Sequence, residues 1–250
     1  MILDFSLFLL AIPAVLFAGI SKGGFASGAA FAATPFLALA VTPGQAIGLM
    51  LPLLMLMDVA ALRPYWRRWD SHAATALILG ALPGVALGAA LYGVADPELF
   101  KLLIGVVALA FVAFQLSRAL GLLRLERRRP GGPAGYLWGC VAGFTSFISH
   151  AGGPPAAVYL LPLGLSKQTF QATTVITFWA INLAKFAPYA YLGIFSRETF
   201  LAALLLSPVA LMGIWIGVRL HRRVPERLFF GLTYLFLTVT GGKLVIDGLS

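Results

Sequence analysis

The sequence predicts an all-α polytopic membrane protein, and three observations carry that prediction. Of its 250 residues 60% are hydrophobic and only 11% are charged, against about 25% charged in a typical soluble domain. Apolar stretches of spanning length recur along the chain, for example Ala73–Val94 and Phe200–Val218. Each reaches across a hydrocarbon core of roughly 30 Å at about 1.5 Å per helical residue. No stretch alternates apolar and polar residues as a barrel strand does, so helices must satisfy the backbone within the lipid.

The elements follow in chain order as ten segments, roughly 5–20, 29–41, 46–62, 73–93, 98–117, 134–149, 156–165, 168–192, 199–218 and 227–247. An eight-crossing alternative treats 5–33 and 134–165 as unbroken spans. Charge placement separates the two, because Lys and Arg collect in cytoplasmic loops. Ten segments put Arg63/Arg67/Arg68, Arg118/Arg124/Arg127/Arg128/Arg129 and Arg219/Arg222/Arg223/Arg227 on one face, joined by Lys22 and Lys167. The opposite face then holds Asp4, Asp96, Glu98, Glu198 and Asp247, and both termini are expected in the periplasm. Segments 29–41 and 156–165 reach only about 20 and 15 Å, so each is expected as one arm of a broken or re-entrant hairpin. The N-terminus lacks a basic leader region, and its first apolar stretch is read as retained. The basic loops account for the net charge of +9 without a nucleic-acid partner. The single Cys140 allows neither an intrachain disulfide nor a thiolate metal cluster.

The chain reads as two membrane repeats, 1–125 and 126–250. Pro35 recurs as Pro162, Gln45-Ala46 as Gln171-Ala172, Pro83 and Gly88 as Pro208 and Gly213, and Pro97-Glu98 as Pro225-Glu226, at offsets of 124–128 residues. Five segments per repeat is an odd number, so the repeats are expected to be inverted, a design that recurs in secondary transporters with midplane sites. Gly80, Gly84 and Gly88, like Gly213 and Gly217, have the four-residue spacing of close helix packing.

Each repeat carries a glycine-rich interruption, near residues 21–28 and 150–155. The candidate substrate-binding residues are Ser21, Lys22, Gly23, Gly24, Ser27 and Gly28 in the first, and Ser149, His150, Gly152 and Gly153 in the second. Glycine lets backbone N–H groups approach a ligand, and a helix beginning after each break offers donors and partial positive charge to an anion. Lys22 and His150 add cationic character at a depth where a charge is costly. Asp58, Asn182 and Lys185 are candidates for coupling or gating, with an Asp58–Lys185 pair across the pseudo-two-fold axis. No metal site and no cofactor is expected.

The run Ser21-Lys22-Gly23-Gly24-Phe25-Ala26-Ser27-Gly28, followed by Pro35 and Gln45-Ala46, resembles the first signature of the sulfite exporter TauE/SafE family. The stretch from Gly143 through Gly152-Gly153 to Pro162 resembles its second, and Pro154-Pro155 departs from it where a further small residue is expected. The resemblance extends over essentially the whole chain. It implies transport of a sulfur-containing anion (sulfite, a sulfonate or sulfoacetate) across the bacterial inner membrane. The expected partners are this small inorganic or organosulfur anion and the bilayer; proton or sodium coupling and a homodimer stay open. Two other classes compete. An intramembrane hydrolase would use Ser27 or Ser149 with His150, but there is no Gly-x-Ser-x-Gly elbow. A non-transporting partner subunit would leave the breaks without a purpose. No Walker motif is present, which argues against ATP coupling within the chain.

Overall fold

A computed structural model describes residues 5–24, 29–123, 132–220 and 226–250. Among them are ten α-helices and no strand. They are α1 (Phe5–Gly24), α2 (Ala33–Leu37), α3 (Pro43–Leu62), α4 (Ser71–Tyr92), α5 (Pro97–Ala119), α6 (Gly132–Ser149), α7 (Gly153–Leu160), α8 (Lys167–Tyr191), α9 (Arg197–Leu220) and α10 (Glu226–Leu249). A 3-10 turn, Ala29–Ala32, leads into α2, and another, Leu161–Leu163, follows α7.

Side-chain caps fix where several helices start. Thr42 and Gln45 form a reciprocal capping box on α3, satisfying two N–H groups that the first turn leaves unpaired. Asp70 accepts from Ala73 N (2.8 Å), Asp96 from Leu99 N (2.7 Å) and Ser166 from Thr169 N (3.1 Å). Pro97 follows its cap directly, in the first turn where its missing N–H is harmless.

Among the described residues, six helices are long and apolar enough to cross a membrane: α1, α3, α4, α5, α9 and α10. α8 has the length, at 25 residues, but Lys167, Gln171, Asn182 and Lys185 dilute its apolar character. α2 and α7, with five and eight residues, reach only about 8 and 12 Å. α3 is the central helix, with 67% of its span buried against 28–44% for the other five. Large apolar side chains on the outer helices, such as Leu204, Leu205, Leu232, Leu235 and Val239, point away from the protein, as lipid-facing residues do.

α1 packs on α9, α4 on α6, α5 on α10 and α3 on α8; α3 also meets α9, and α4 meets α8. Exchanging each helix for the one five places on turns this set of pairs into itself. The caps Thr42 and Ser166 are 124 positions apart, the same separation as Asp58 and Asn182.

The first interruption differs from the expectation. α1 continues through Gly24 rather than ending near residue 20, so Ser21, Lys22, Gly23 and Gly24 form its last turn. Its glycines serve packing there. A Cβ on Gly19 would lie 2.6 Å from the Ala210 carbonyl oxygen, and one on Gly213 would lie 2.7 Å from that of Leu16. Small residues bring the two backbones together. Ser27 and Gly28 lie outside the described residues, as do Arg124, Arg127, Arg128, Arg129, Arg222, Arg223 and Pro225.

Candidate functional site

The last turn of α1, the middle of α3, the α6–α7 junction and one face of α8 surround a cavity of about 60 Å³. A water needs roughly 10–15 Å³ on this measure, so the space suits a group of about four or five heavy atoms. Lys22 and Asp58 line it from the first half of the sequence, and His150, Gly153 and Asn182 from the second.

Lys22 reaches across to α3, where its ammonium pairs with the Asp58 carboxylate and also approaches the Leu54 carbonyl oxygen at 3.4 Å. The other carboxylate oxygen of Asp58 accepts from the Asn182 amide of α8 at 2.7 Å. Asp58 is 2% exposed in its side chain and Lys22 is 16% exposed, so the acid is the fully enclosed member of the pair. The expected Asp58–Lys185 pair is replaced by Asp58–Asn182. Asn182 lies one helical turn before Lys185 and is the residue that comes within bonding distance.

His150 directly follows α6, with φ of +58°. A non-glycine residue in this left-handed region costs about 1–2 kcal/mol, and the turn closes the helix, with the His150 and Ala151 N–H groups donating back to the Ser146 and Thr145 carbonyl oxygens. Two side-chain bonds hold it. Nε2–H donates to the Ile47 carbonyl oxygen of α3 at 3.0 Å, and Nδ1 meets Lys185 Nζ at 2.8 Å. A carbonyl can only accept, so Nε2 carries a proton, while Nδ1 and Lys185 Nζ share one hydrogen bond. Lys185 has no exposed surface. Its Nζ also donates to the Ser146 carbonyl oxygen (3.0 Å) and meets Ser146 Oγ (2.9 Å).

Several predicted residues lie away from the cavity. Gly23 and Gly24 pack on Ile214 and Gly217 of α9. Ser149 is buried and donates back to the Thr145 carbonyl oxygen at 3.4 Å. Gly152 packs beneath Phe178 and Ala142. The start of α7 supplies fewer donors than a helix N-terminus usually does, because Pro154 and Pro155 have no N–H.

Three polar lining residues, Ser146, Gln171 and Thr174, were not among the candidates. Gln171 and Thr174 share a face of α8 with Phe178 and Asn182, at the three- and four-residue spacings of one helical stripe. Polar side chains repeating at that spacing through an otherwise apolar helix are a readable signal. Among the described residues, Ser21 Oγ and Gln171 Oε1 are buried with no hydrogen-bond partner, and both residues line the cavity.

A model of the sulfite exporter TauE/SafE family matches residues 11–244. No curated protein and no solved structure matches the chain.

Proposed function

This chain belongs to the sulfite exporter TauE/SafE family, and from that premise we propose that it is a secondary transporter moving a small sulfur-containing anion across the bacterial inner membrane. The observation that carries the proposal is the cavity at the meeting of both interruptions, lined by Lys22 and His150 and by polar groups that lack partners. Its volume suits sulfite or the head of a sulfonate. A buried hydroxyl donor without an acceptor, as Ser21 Oγ is, costs about 1–3 kcal/mol, which an oxyanion bonded to it would recover.

Alternating access is the second part of the proposal. Two repeats, 1–125 and 126–250, are inverted about the membrane plane, and ten segments place both termini in the periplasm. The exchange symmetry of the helix pairs and the 124-residue register support this reading. Bonds that cross between the repeats, such as His150 to Ile47 and Asn182 to Asp58, would break and re-form as one repeat rocks against the other. α2 and α7 would be the short arms of the two broken hairpins. Ion coupling would use the charged groups beside the cavity.

The hydrolase reading finds little support. Both His150 ring nitrogens are engaged, one by the Ile47 carbonyl and the other by Lys185 Nζ, which leaves neither to take a proton from a serine as a general base must. Ser149 directs its hydroxyl into its own helix.

The test is flux of labelled sulfite and sulfonates into liposomes holding the purified protein, with and without a proton gradient. Saturable flux above protein-free liposomes is expected. Its absence for every sulfur anion tried would contradict the proposal.

A further inference from the structure

Lys185 sits beside the cavity in a cage that fits two protonation states. Its side chain has no exposed surface. Three atoms surround Nζ: the Ser146 carbonyl oxygen at 3.0 Å, Ser146 Oγ at 2.9 Å and His150 Nδ1 at 2.8 Å. The carbonyl only accepts, whereas the hydroxyl both donates and accepts. His150 spends its Nε2 proton on the Ile47 carbonyl, so Nδ1 is open to a hydrogen bond from Nζ. An amine fills this cage completely. Its two N–H bonds go to the carbonyl and to Nδ1, and its lone pair accepts from the Ser146 hydroxyl. An ammonium fills it too. The third N–H then points at Ser146 Oγ, and the hydroxyl has only to turn its own hydrogen away. The Tyr189 ring centroid lies 5.9 Å from Nζ, close enough for an aromatic face to stabilise a cation.

Charge decides between the two forms. The ionisable groups that face Nζ are His150 and Tyr189, with Asp58 and Lys22 farther off. Asp58 and Lys22 are bonded to each other and cancel, and the second Asp58 oxygen is taken by Asn182. An ammonium at Lys185 therefore has no counter-charge of its own, and a buried charge without one is strongly unfavourable. With Lys185 an amine, the interior is neutral. An anion in the cavity reverses the preference. It brings negative charge beside Ser146 and His150, which both line the cavity and touch Nζ.

We propose that the Lys185–His150 pair is the proton-binding site that couples transport, taking up one proton when the anion enters and releasing it when the anion leaves. This assignment rests on the transport reading above. The proton comes from water on the side where the anion enters and adds to the Nζ lone pair. It returns to water on the opposite side, so anion and proton cross in the same direction. Ser146 and His150 are the two routes between the cavity and Nζ. The proton rests on Nζ rather than on the ring, because an alkylamine is the stronger base.

The test is nitrogen NMR of the full-length protein in lipid bilayers with isotope-labelled lysine, since amine and ammonium nitrogens differ in chemical shift. Lys22 and Lys243 are ion-paired, and Lys101 and Lys167 reach solvent, so an amine signal at neutral pH belongs to Lys185. That signal is expected without sulfite and is expected to become an ammonium signal when sulfite saturates the protein. An ammonium signal without sulfite would overturn the proposal, and so would an amine signal that sulfite leaves unchanged. In liposomes, an inward proton gradient is expected to accelerate sulfite uptake by the wild type, measured above protein-free liposomes. Lys185→Met is expected to lose that acceleration and to keep sulfite counterflow. Wild-type uptake driven by a sodium gradient instead, or a Lys185→Met protein still driven by protons, would also overturn it. If Lys185→Met does not fold or loses counterflow, the wild-type nitrogen signals decide alone. Sulfite flux with an unchanged Lys185 signal would refute the coupling site and leave the transport reading standing. Absence of flux and of any signal change would remove the two together.

Discussion

Replacing Lys22 by Met tests the charged core most sharply, because the two members of its ion pair are unequally enclosed. Asp58 is 2% exposed and Lys22 16%. Without Lys22 the carboxylate keeps one neutral donor, the Asn182 amide at 2.7 Å. Breaking a buried pair by removing one partner costs about 3–5 kcal/mol, and the enclosed acid puts Lys22→Met in that range. Asp58→Asn leaves an ammonium that retains the Leu54 carbonyl and some contact with solvent. Its cost should be nearer the value for a lost charged hydrogen bond, about 1.5–3 kcal/mol. The double variant Lys22→Met/Asp58→Asn leaves neither charge stranded by the other. It should be more stable than the sum of the single changes predicts, with a coupling of about 2 kcal/mol. The assay is equilibrium unfolding in mixed micelles followed by circular dichroism for all four proteins. Additive single costs, or a Lys22→Met protein as stable as the wild type, would refute the reasoning.

Further outcomes follow from individual contacts. Gly213→Leu places side-chain atoms against the α1 backbone, where even a Cβ lies 2.7 Å from the Leu16 carbonyl oxygen. It should lower stability by about 1–3 kcal/mol or more, read by the same unfolding assay. Gln171→Leu removes a buried carbonyl that has no partner; stability in that assay should hold or rise. His150→Gly suits the left-handed backbone better but loses the bonds to Ile47 and Lys185. Flux should drop further than stability does, and the comparison is made on one reconstituted sample. A reporter tag in the 118–133 loop should be found on the cytoplasmic side by impermeant labelling; a periplasmic location would break the ten-segment topology.

The helices were largely legible in the sequence because the bilayer imposes length and composition on them. Proline and acidic residues placed the start of α5 at Pro97, and the basic loops separated the long segments. The end of α1 was misread for a physical reason. Gly23 and Gly24 look like a break in isolation, yet α9 presents Ile214 and Gly217 against them, and they support a close crossing instead. The repeated Gln-Ala pairs also mislead in detail. Gln45 closes a capping box at the start of α3, whereas Gln171 is buried at the cavity. Similar letters therefore occupy different environments. Lys22, His150, Asp58 and Asn182 stood out because charge and polarity at membrane depth are costly. The partner of each did not, because a one-turn difference on α8 separates Asn182 from Lys185, and only three-dimensional packing decides which one reaches Asp58. Gln171 and Thr174 were readable from helical spacing and were overshadowed by the glycine runs.

In the proposed transport cycle, an anion passes through the cavity between Lys22 and His150. Counterflow of labelled sulfite in proteoliposomes tests it most directly, since exchange needs binding and alternating access but no ion gradient. Saturable counterflow is expected for the wild type. In Lys22→Ala and His150→Ala strongly weakened affinity or rate is expected, with both proteins still folded by circular dichroism. Wild-type rate and affinity in both variants would contradict the proposed cycle.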